Sequence, residues 1–232
     1  MEIDYGYIRD NLARVREACL ARAAALGLPT PLLVAVTKSA DNGEVRALVE
    51  QFGQAAIAEN RTVLFNERYE LFDEAHRPEM HLIGSLQTNK VKTVVGRVAL
   101  IHSVDSERLA AEIDKRAAAQ GIRQRILLEI NSGREENKGG VLPEEAEAMA
   151  ERLVAFPHLS LCGVMTMAPN LPSPEEYRPY FRETAALLAR LRGTGMIEGE
   201  GVLSMGMSDS YEVAIEEGAT LVRVGRTLFR RG

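Results

Sequence analysis

The run Leu32-Leu33-Val34-Ala35-Val36-Thr37-Lys38 is apolar almost throughout and ends in a lysine. Pro31 precedes the run, and the turn-forming residues Asp41-Asn42-Gly43 follow it. A run this rich in Val and Leu is typical of a strand buried on both faces, as parallel strands are in α/β proteins. We therefore expect Lys38 at the carboxyl end of a parallel strand, at the edge of a core.

The position of Lys38 has two interpretations. Apolar surroundings disfavour an ammonium group relative to the neutral amine, and a neutral amine can form a Schiff base with a carbonyl compound. Alternatively, the side chain extends to water where the strand ends and has no chemical role. Burial and a partner group would distinguish a reactive lysine from a solvated one.

The rest of the chain repeats the pattern of a short apolar strand followed by a helix. Further strands are predicted over residues 55–58, 81–84, 98–104, 125–131, 159–167, 202–205 and 221–224. An amphipathic helix over residues 3–26 precedes the first strand, and the chain is too short after the eighth strand for a full helix. We predict an α/β fold, a single (β/α)8 TIM barrel domain over residues 1–232, with residues 1–27 as an N-terminal helix packed on the barrel.

Composition narrows the function classes. The 28 basic and 33 acidic residues give a net charge of −5, which argues against a nucleic-acid or anionic-membrane partner held by bulk charge. The two cysteines, Cys19 and Cys162, lack metal-ligand spacing and are predicted core thiols, so we expect no metal site. Residues 1–4 do not resemble a signal peptide, and no run of about 18 apolar residues could span a bilayer. A cytoplasmic protein is the expectation.

Two glycine-bearing turns follow the seventh and eighth predicted strands. Ser204-Met205-Gly206-Met207-Ser208 leads into a helix, and Gly225-Arg226-Thr227 follows the last strand. In (β/α)8 barrels the loops after these strands often bind phosphate through backbone N–H groups and hydroxyls. Ordinary turn glycines with Ser208 as a helix N-cap are the simpler alternative. A strand-end lysine opposite a phosphate cradle would suit an aldehyde with a phosphate group, and pyridoxal 5′-phosphate (PLP) is such a molecule.

Several stretches resemble one known family. Ile83-Gly84-x-Leu86-Gln87-x-Asn89-Lys90 and the turn of residues 204–208 are the most specific of them. The others lie at residues 35–38, 59–61, 101–105, 137–140, 163–167 and 222–225. In these stretches, and in their order, the chain resembles the pyridoxal phosphate homeostasis proteins, barrel proteins similar to the N-terminal domain of alanine racemases. PLP, and enzymes that receive it, are the partners that this resemblance implies, for a monomer or weak dimer.

The resemblance also assigns roles to residues. It implies that Lys38 carries PLP as a Schiff base, with Arg223 facing the pyridine nitrogen and Asn60 near the ring. It further implies that Ser204, Ser208, Gly225 and Arg226 hold the phosphate. An arginine that keeps its proton leaves the pyridine nitrogen unprotonated and weakens the ring as an electron sink. Lys138 is a possible second lysine near the cofactor, although a solvated loop lysine fits the sequence better.

Three residues depart from the family pattern. Ala58 stands where relatives usually have Gly, Arg226 replaces a common Thr, and Arg230 replaces a Gly. A cation at residue 226 would either bind the phosphate or turn away from it. His81 and His102, in two predicted strands, are expected to be hydrogen-bonded core histidines.

Three functions remain open from the sequence. The first is a PLP-binding protein for intracellular vitamin B6 homeostasis or cofactor delivery, without robust catalysis. The second is a small PLP-dependent amino-acid racemase that uses Lys38 on one face of the substrate and an unidentified group on the other. The third is an aldolase without a cofactor, in which Lys38 forms the Schiff base with the substrate itself.

Overall fold

Eight parallel strands close into a barrel in chain order in the computed structural model, which describes residues 4–231. The strands are β1 (Leu32–Val36), β2 (Ala56–Glu59), β3 (Glu79–Leu82), β4 (Leu100–Val104), β5 (Gln124–Ile130), β6 (Leu159–Thr166), β7 (Val202–Ser204) and β8 (Leu221–Val224). The first strand pairs with both β2 and β8, which closes the cylinder. The predicted TIM barrel is confirmed, and each predicted strand overlaps an observed one.

Helices surround the barrel. The α-helices are α1 (Gly6–Ala25), α2 (Asn42–Arg46), α3 (Thr62–Leu71), α4 (Glu107–Ala119), α5 (Ala146–Val154), α6 (Arg178–Gly193), α7 (Tyr211–Glu216) and α8 (Arg226–Phe229). A π-helical segment, Ala47–Gln51, continues α2, and 3₁₀ segments lie at Thr88–Thr93, Pro143–Glu145 and Pro174–Tyr177. Within residues 4–231, no helix is long and apolar enough to cross a membrane.

Local sequence signals explain several helix starts. Asp41 and Glu44 form a capping box in which each side chain accepts a hydrogen bond from the other residue's backbone N–H, so α2 begins directly after Asp41. The start predicted at Ser208 is wrong. Ser210 and Tyr211 both donate backbone hydrogen bonds to Met207 O, and this turn delays α7 until Tyr211.

Helix α1 occupies the place on the barrel that a full helix after β8 would take. On one side, Arg22 forms ion pairs with Glu212 and Glu216 of α7. On its other side, Arg16 donates hydrogen bonds to the carbonyl oxygens of Phe52 and Gly53, which follow α2. The predicted start of this helix at residue 3 lies outside the described residues.

The barrel interior contains both apolar and polar side chains. An apolar group of inward-facing residues includes Val34, Ala58, Leu127 and Met165. Among them lie the buried polar side chains of His81, His102, Ser204 and Arg223. Because buried polar groups are costly unless they are hydrogen-bonded, such an interior must supply partners for each of them.

Candidate functional site

A cavity of about 240 Å³ opens at the carboxyl ends of the strands. Its walls contain the residues that follow β1, β2, β3, β6, β7 and β8, which is the edge where barrel active sites lie. The lining residues are Val36, Lys38, Asn60, Ile83, Gly84, Met167, Met207, Ser208, Arg223, Gly225 and Arg226. The predicted residues are thus brought together, except for Ser204, which lies behind the wall.

Lys38 projects from a loop that is anchored on both sides. The preceding Thr37 is buried and donates a hydrogen bond of 2.5 Å to Glu59 Oε1. Beyond Lys38, Arg68 donates a hydrogen bond of 2.6 Å to the Ala40 carbonyl oxygen. Of the two interpretations of Lys38, the structure shows an exposed side chain at the cavity, because β1 ends two residues earlier, at Val36.

The loop that carries Lys38 packs on a buried pair of ionisable side chains, Glu59 and Arg68. Glu59 is fully buried, and burial raises the pKa of its carboxyl, although the hydrogen bond from Thr37 and the charge of Arg68 oppose the shift. Arg68 Nε lies 3.5 Å from Glu59 Oε1, with both side chains almost inaccessible to water. Removing either partner would leave an uncompensated buried charge, so the pair ties the Lys38 loop to the barrel.

Arg223 forms the deep wall of the cavity. Its guanidinium is 2% exposed and donates hydrogen bonds to Ser204 Oγ at 2.5 Å and to Thr166 O at 2.9 Å. Burial lowers the pKa of Arg223 to about 10, with Glu129 opposing the shift. The side chain therefore remains a cation at neutral pH, held in a fixed orientation.

Ser204 lies in β7, one layer deeper than the cavity. Its hydroxyl accepts the hydrogen bond from Arg223 and contacts His102 Nδ1 at 3.0 Å. The hydroxyl group is hydrogen-bonded in the barrel interior, whereas the family resemblance implies that it holds the phosphate. Its observed contacts orient Arg223.

The turns after β7 and β8 meet at the rim. Ser208 Oγ accepts a hydrogen bond of 3.4 Å from the backbone N–H of Thr227. A Cβ atom at Gly225 would lie 2.9 Å from Val36 O, and one at Gly206, where φ is +86°, would lie 2.5 Å from the Ala214 side chain. Both glycines therefore permit close packing of the turns on the protein itself.

Two cations near the rim are paired with carboxylates. Arg226 is exposed and donates a hydrogen bond to Asp209, so its guanidinium is directed toward that carboxylate in this structure. Lys138 Nζ lies 2.6 Å from Glu135 Oε2. Ala58, which like Arg226 departs from the family pattern, packs fully buried among apolar residues of the barrel interior.

Sequence reasoning missed Glu129 and the connection between the two core histidines. Burial raises the pKa of Glu129 to about 7, and the nearby Asp105 adds to the shift. His81 Nδ1 and His102 Nε2 are 2.8 Å apart. Alternation along β5, in which Leu127 packs inside the barrel, could have placed Glu129 inside as well.

Comparison with known proteins gives the family. The sequence model of the alanine racemase N-terminal domain matches residues 3–230. A pyridoxal phosphate homeostasis protein of Aquifex aeolicus is 42% identical over 218 residues, which cover 94% of this chain and 93% of the relative. The chain belongs to the pyridoxal phosphate homeostasis protein family. A second relative with the same name, from Deinococcus radiodurans, is 39% identical, and the match covers 97% of its length.

Solved structures of the pyridoxal phosphate homeostasis family and its neighbours share the barrel. PipY of Synechococcus elongatus, determined with PLP bound, has a TM-score of 0.82 and 28% identity and covers 96% of this chain and 100% of that one. A structure described as an unknown protein from Bifidobacterium adolescentis has a TM-score of 0.87 and 32% identity, and the match covers 98% of each chain. An alanine racemase of Clostridium difficile has a TM-score of 0.76 at 18% identity, and 57% of it is covered, so the likeness shows a shared fold.

Proposed function

We propose that this chain binds PLP in the cavity at the carboxyl ends of its strands and serves in intracellular PLP homeostasis. The observation that carries the proposal is the meeting of an amine, a buried guanidinium and two linked turns around one cavity. Lys38 and Arg223 line that cavity together with Ser208 and Gly225. The family name and the PLP-bound PipY structure support the same ligand.

The residues present fit PLP. Lys38 supplies an exposed amine that would condense with the aldehyde carbon and release water. Arg223 supplies a fixed donor for the ring nitrogen, and Ser208 with the backbone at Gly225 would hold the phosphate. When bound, PLP supplies an aldehyde and an aromatic ring that can accept electrons.

We infer storage, protection or delivery of the cofactor rather than robust turnover. Arg223 retains its proton, so it leaves the ring nitrogen unprotonated and limits the stabilisation of negative charge on a substrate carbon. The proposal includes delivery, in which the protein passes PLP to enzymes that lack it. We place this role in the cytoplasm and assign it to a monomer or weak dimer. Transfer from loaded protein to a purified PLP-free enzyme, measured as recovered activity, would test it.

The test of binding is covalent trapping. Wild-type protein incubated with PLP, reduced with borohydride and analysed by intact mass should gain one phosphopyridoxyl group. Lys38→Ala should gain none, whereas Lys115→Ala, a change at an exposed lysine of α4, should behave like wild type. Equal labelling of all three proteins, or none of wild type, would refute the proposal.

An amino-acid racemase is a second candidate because β5 carries a carboxyl group, that of Glu129, close enough to the cavity residue Arg223 for their charges to interact. The Glu129 pKa of about 7 would suit a second acid/base group, since racemisation requires one on each face of the substrate carbon. Incubation of PLP-loaded protein with a single amino-acid enantiomer in deuterated water tests this function. Rapid exchange at Cα that is lost in Glu129→Gln would favour the racemase over the homeostasis role.

A further inference from the structure

A continuous chain of hydrogen bonds runs through the barrel interior from Arg223 to the opposite mouth. Arg223 contacts Ser204 at 2.5 Å, Ser204 contacts His102 Nδ1 at 3.0 Å, and His102 Nε2 contacts His81 Nδ1 at 2.8 Å. His81 Nε2 then lies 3.1 Å from Glu79 Oε1. The four links cross the barrel through strands β8, β7, β4 and β3.

The direction of every hydrogen bond follows from the two ends. At one end, the guanidinium of Arg223 can only donate, so Ser204 Oγ accepts from it. At the other end, the hydrogen bond from His81 holds the pKa of the Glu79 carboxyl below its usual value, so the carboxylate accepts. The Ser204 hydroxyl, which already accepts from Arg223, donates its own proton to His102 Nδ1. A neutral His102 then donates from Nε2 to His81 Nδ1, and His81 donates from Nε2 to Glu79.

His102 is neutral in this arrangement, and its surroundings agree. His102 is fully buried, and burial, aided by the positive charges of Arg223 and Arg125, holds the pKa of its imidazole well below its usual range. A proton on His102 Nδ1 would point a second donor at Ser204 and place another charge near the Arg223 guanidinium. The guanidinium and the carboxylate at the two ends carry charge, and His102 between them carries none.

The far end of the hydrogen-bonded chain is open to solvent. Glu79 and His81 line a cavity of about 640 Å³ at the amino ends of the strands, with Arg125 beside them. Glu79 is partly exposed and lies 3.9 Å from Arg125. The proposed PLP cavity and this second mouth are therefore connected by hydrogen bonds that pass through buried side chains.

We propose that His102 and His81 are positioning residues that, through Ser204, hold the Arg223 guanidinium in its ring-facing orientation and exclude a second positive charge behind it. The inference rests on the proposed binding of PLP, for which Arg223 faces the ring nitrogen. Because the orientation depends on an acceptor at His102 Nδ1, the identity of the atom at that position matters more than the volume of the side chain.

The first test needs no ligand. The protein has four histidines, so ring nitrogens of a histidine-labelled sample give a small number of NMR signals. We expect His102 to be neutral at pH 7, with its proton on Nε2. A protonated His102, or a proton on its Nδ1, would overturn the proposal whether or not PLP binds.

The second test uses PLP titration followed by absorbance. His102→Leu removes the acceptor and keeps an apolar side chain, so PLP should bind about tenfold or more weakly and its absorbance band should move. His102→Asn, whose amide oxygen can accept from Ser204, should recover most of the affinity and the wild-type band. His158→Asn changes a partly exposed histidine on the outer face and serves as the control.

The outcomes separate the two proposals. Unchanged affinity and spectrum in His102→Leu would show a packing role and refute the positioning role. A wild-type protein that fails to bind PLP would refute the proposed function, while the ring-nitrogen signals would still decide the hydrogen-bond directions. If His102→Leu does not fold, two measurements still test the positioning role. They are the PLP affinity of His102→Asn relative to wild type and the position of the proton on the His102 ring.

Discussion

At the residue scale, Glu129 should make stability fall as pH rises. The folded protein holds its proton with a pKa of about 7 against a usual value of 4.5, so its favourable contribution is complete below pH 4.5 and is lost as pH rises through 7. Each pKa unit corresponds to about 1.4 kcal/mol, and with partial exposure we expect a loss of about 2 kcal/mol. Urea unfolding of wild type and Glu129→Gln at pH 5 and pH 8 should show this difference.

The neighbouring carboxylate provides a control for that measurement. Asp105→Asn removes the charge that adds to the shift, so the pH-dependent difference should become smaller. A wild-type protein whose stability relative to Glu129→Gln does not change between pH 5 and pH 8 would contradict the raised pKa.

Single residues at the cavity differ in how well the sequence could place them. Lys38 and Gly225 follow apolar runs, and a barrel puts strand ends at one mouth, so their meeting was predictable. The contacts of Ser204 were not, because its partner His102 is 102 positions away and depends on which side chains point inward. The pairing of Arg226 with Asp209 likewise depends on the fold of two separate turns.

At the scale of elements, strand identity was predictable and element ends were less so. Strand β8 begins and ends as predicted because apolar residues and turn residues bound it sharply. The start of α7 was misplaced because Ser208 resembles an N-cap in sequence, whereas Ser210 accepts a hydrogen bond from Met207 N and continues a turn. Local capping signals cannot report this competition between turn and helix.

The junction between the ends of β2 and β3 is a sensitive point. A Cβ atom at Gly84 would overlap the backbone carbonyl of Asn60, and both residues line the cavity. Gly84→Ala should therefore cost about 1–3 kcal/mol of stability and weaken PLP binding. Gly193→Ala, at the end of α6 with open space around it, is the matched control. Equal unfolding free energies for the two variants would argue against close packing at this junction.

At the scale of the whole molecule, the barrel was predictable because eight strands alternate with helices along the chain. The place of α1 could only be inferred, since periodicity does not show which helices are neighbours. The buried hydrogen bonds from Arg223 to Glu79 were beyond sequence reasoning, because four strands contribute to them and no local pattern marks their shared side chains.

The two ends of the described chain are held together by Asn11. Its amide donates hydrogen bonds to Leu228 O at 3.1 Å and Arg230 O at 2.9 Å, from a buried position in α1. Asn11→Ala should lose about 1–3 kcal/mol and speed amide hydrogen exchange in α8. Arg9→Ala, at an exposed position on the same helix, should change stability by less than about 0.5 kcal/mol. Unchanged exchange in Asn11→Ala would contradict this role.

The pairing of β1 with β8 has a consequence for biosynthesis. Lys38 follows the first strand and Arg223 lies in the last, so the two sides of the cavity are made at widely separated times during translation. A nascent chain displays the lysine long before the arginine leaves the ribosome. Under the proposed function, cofactor capture through both groups therefore has to await the emergence of the eighth strand.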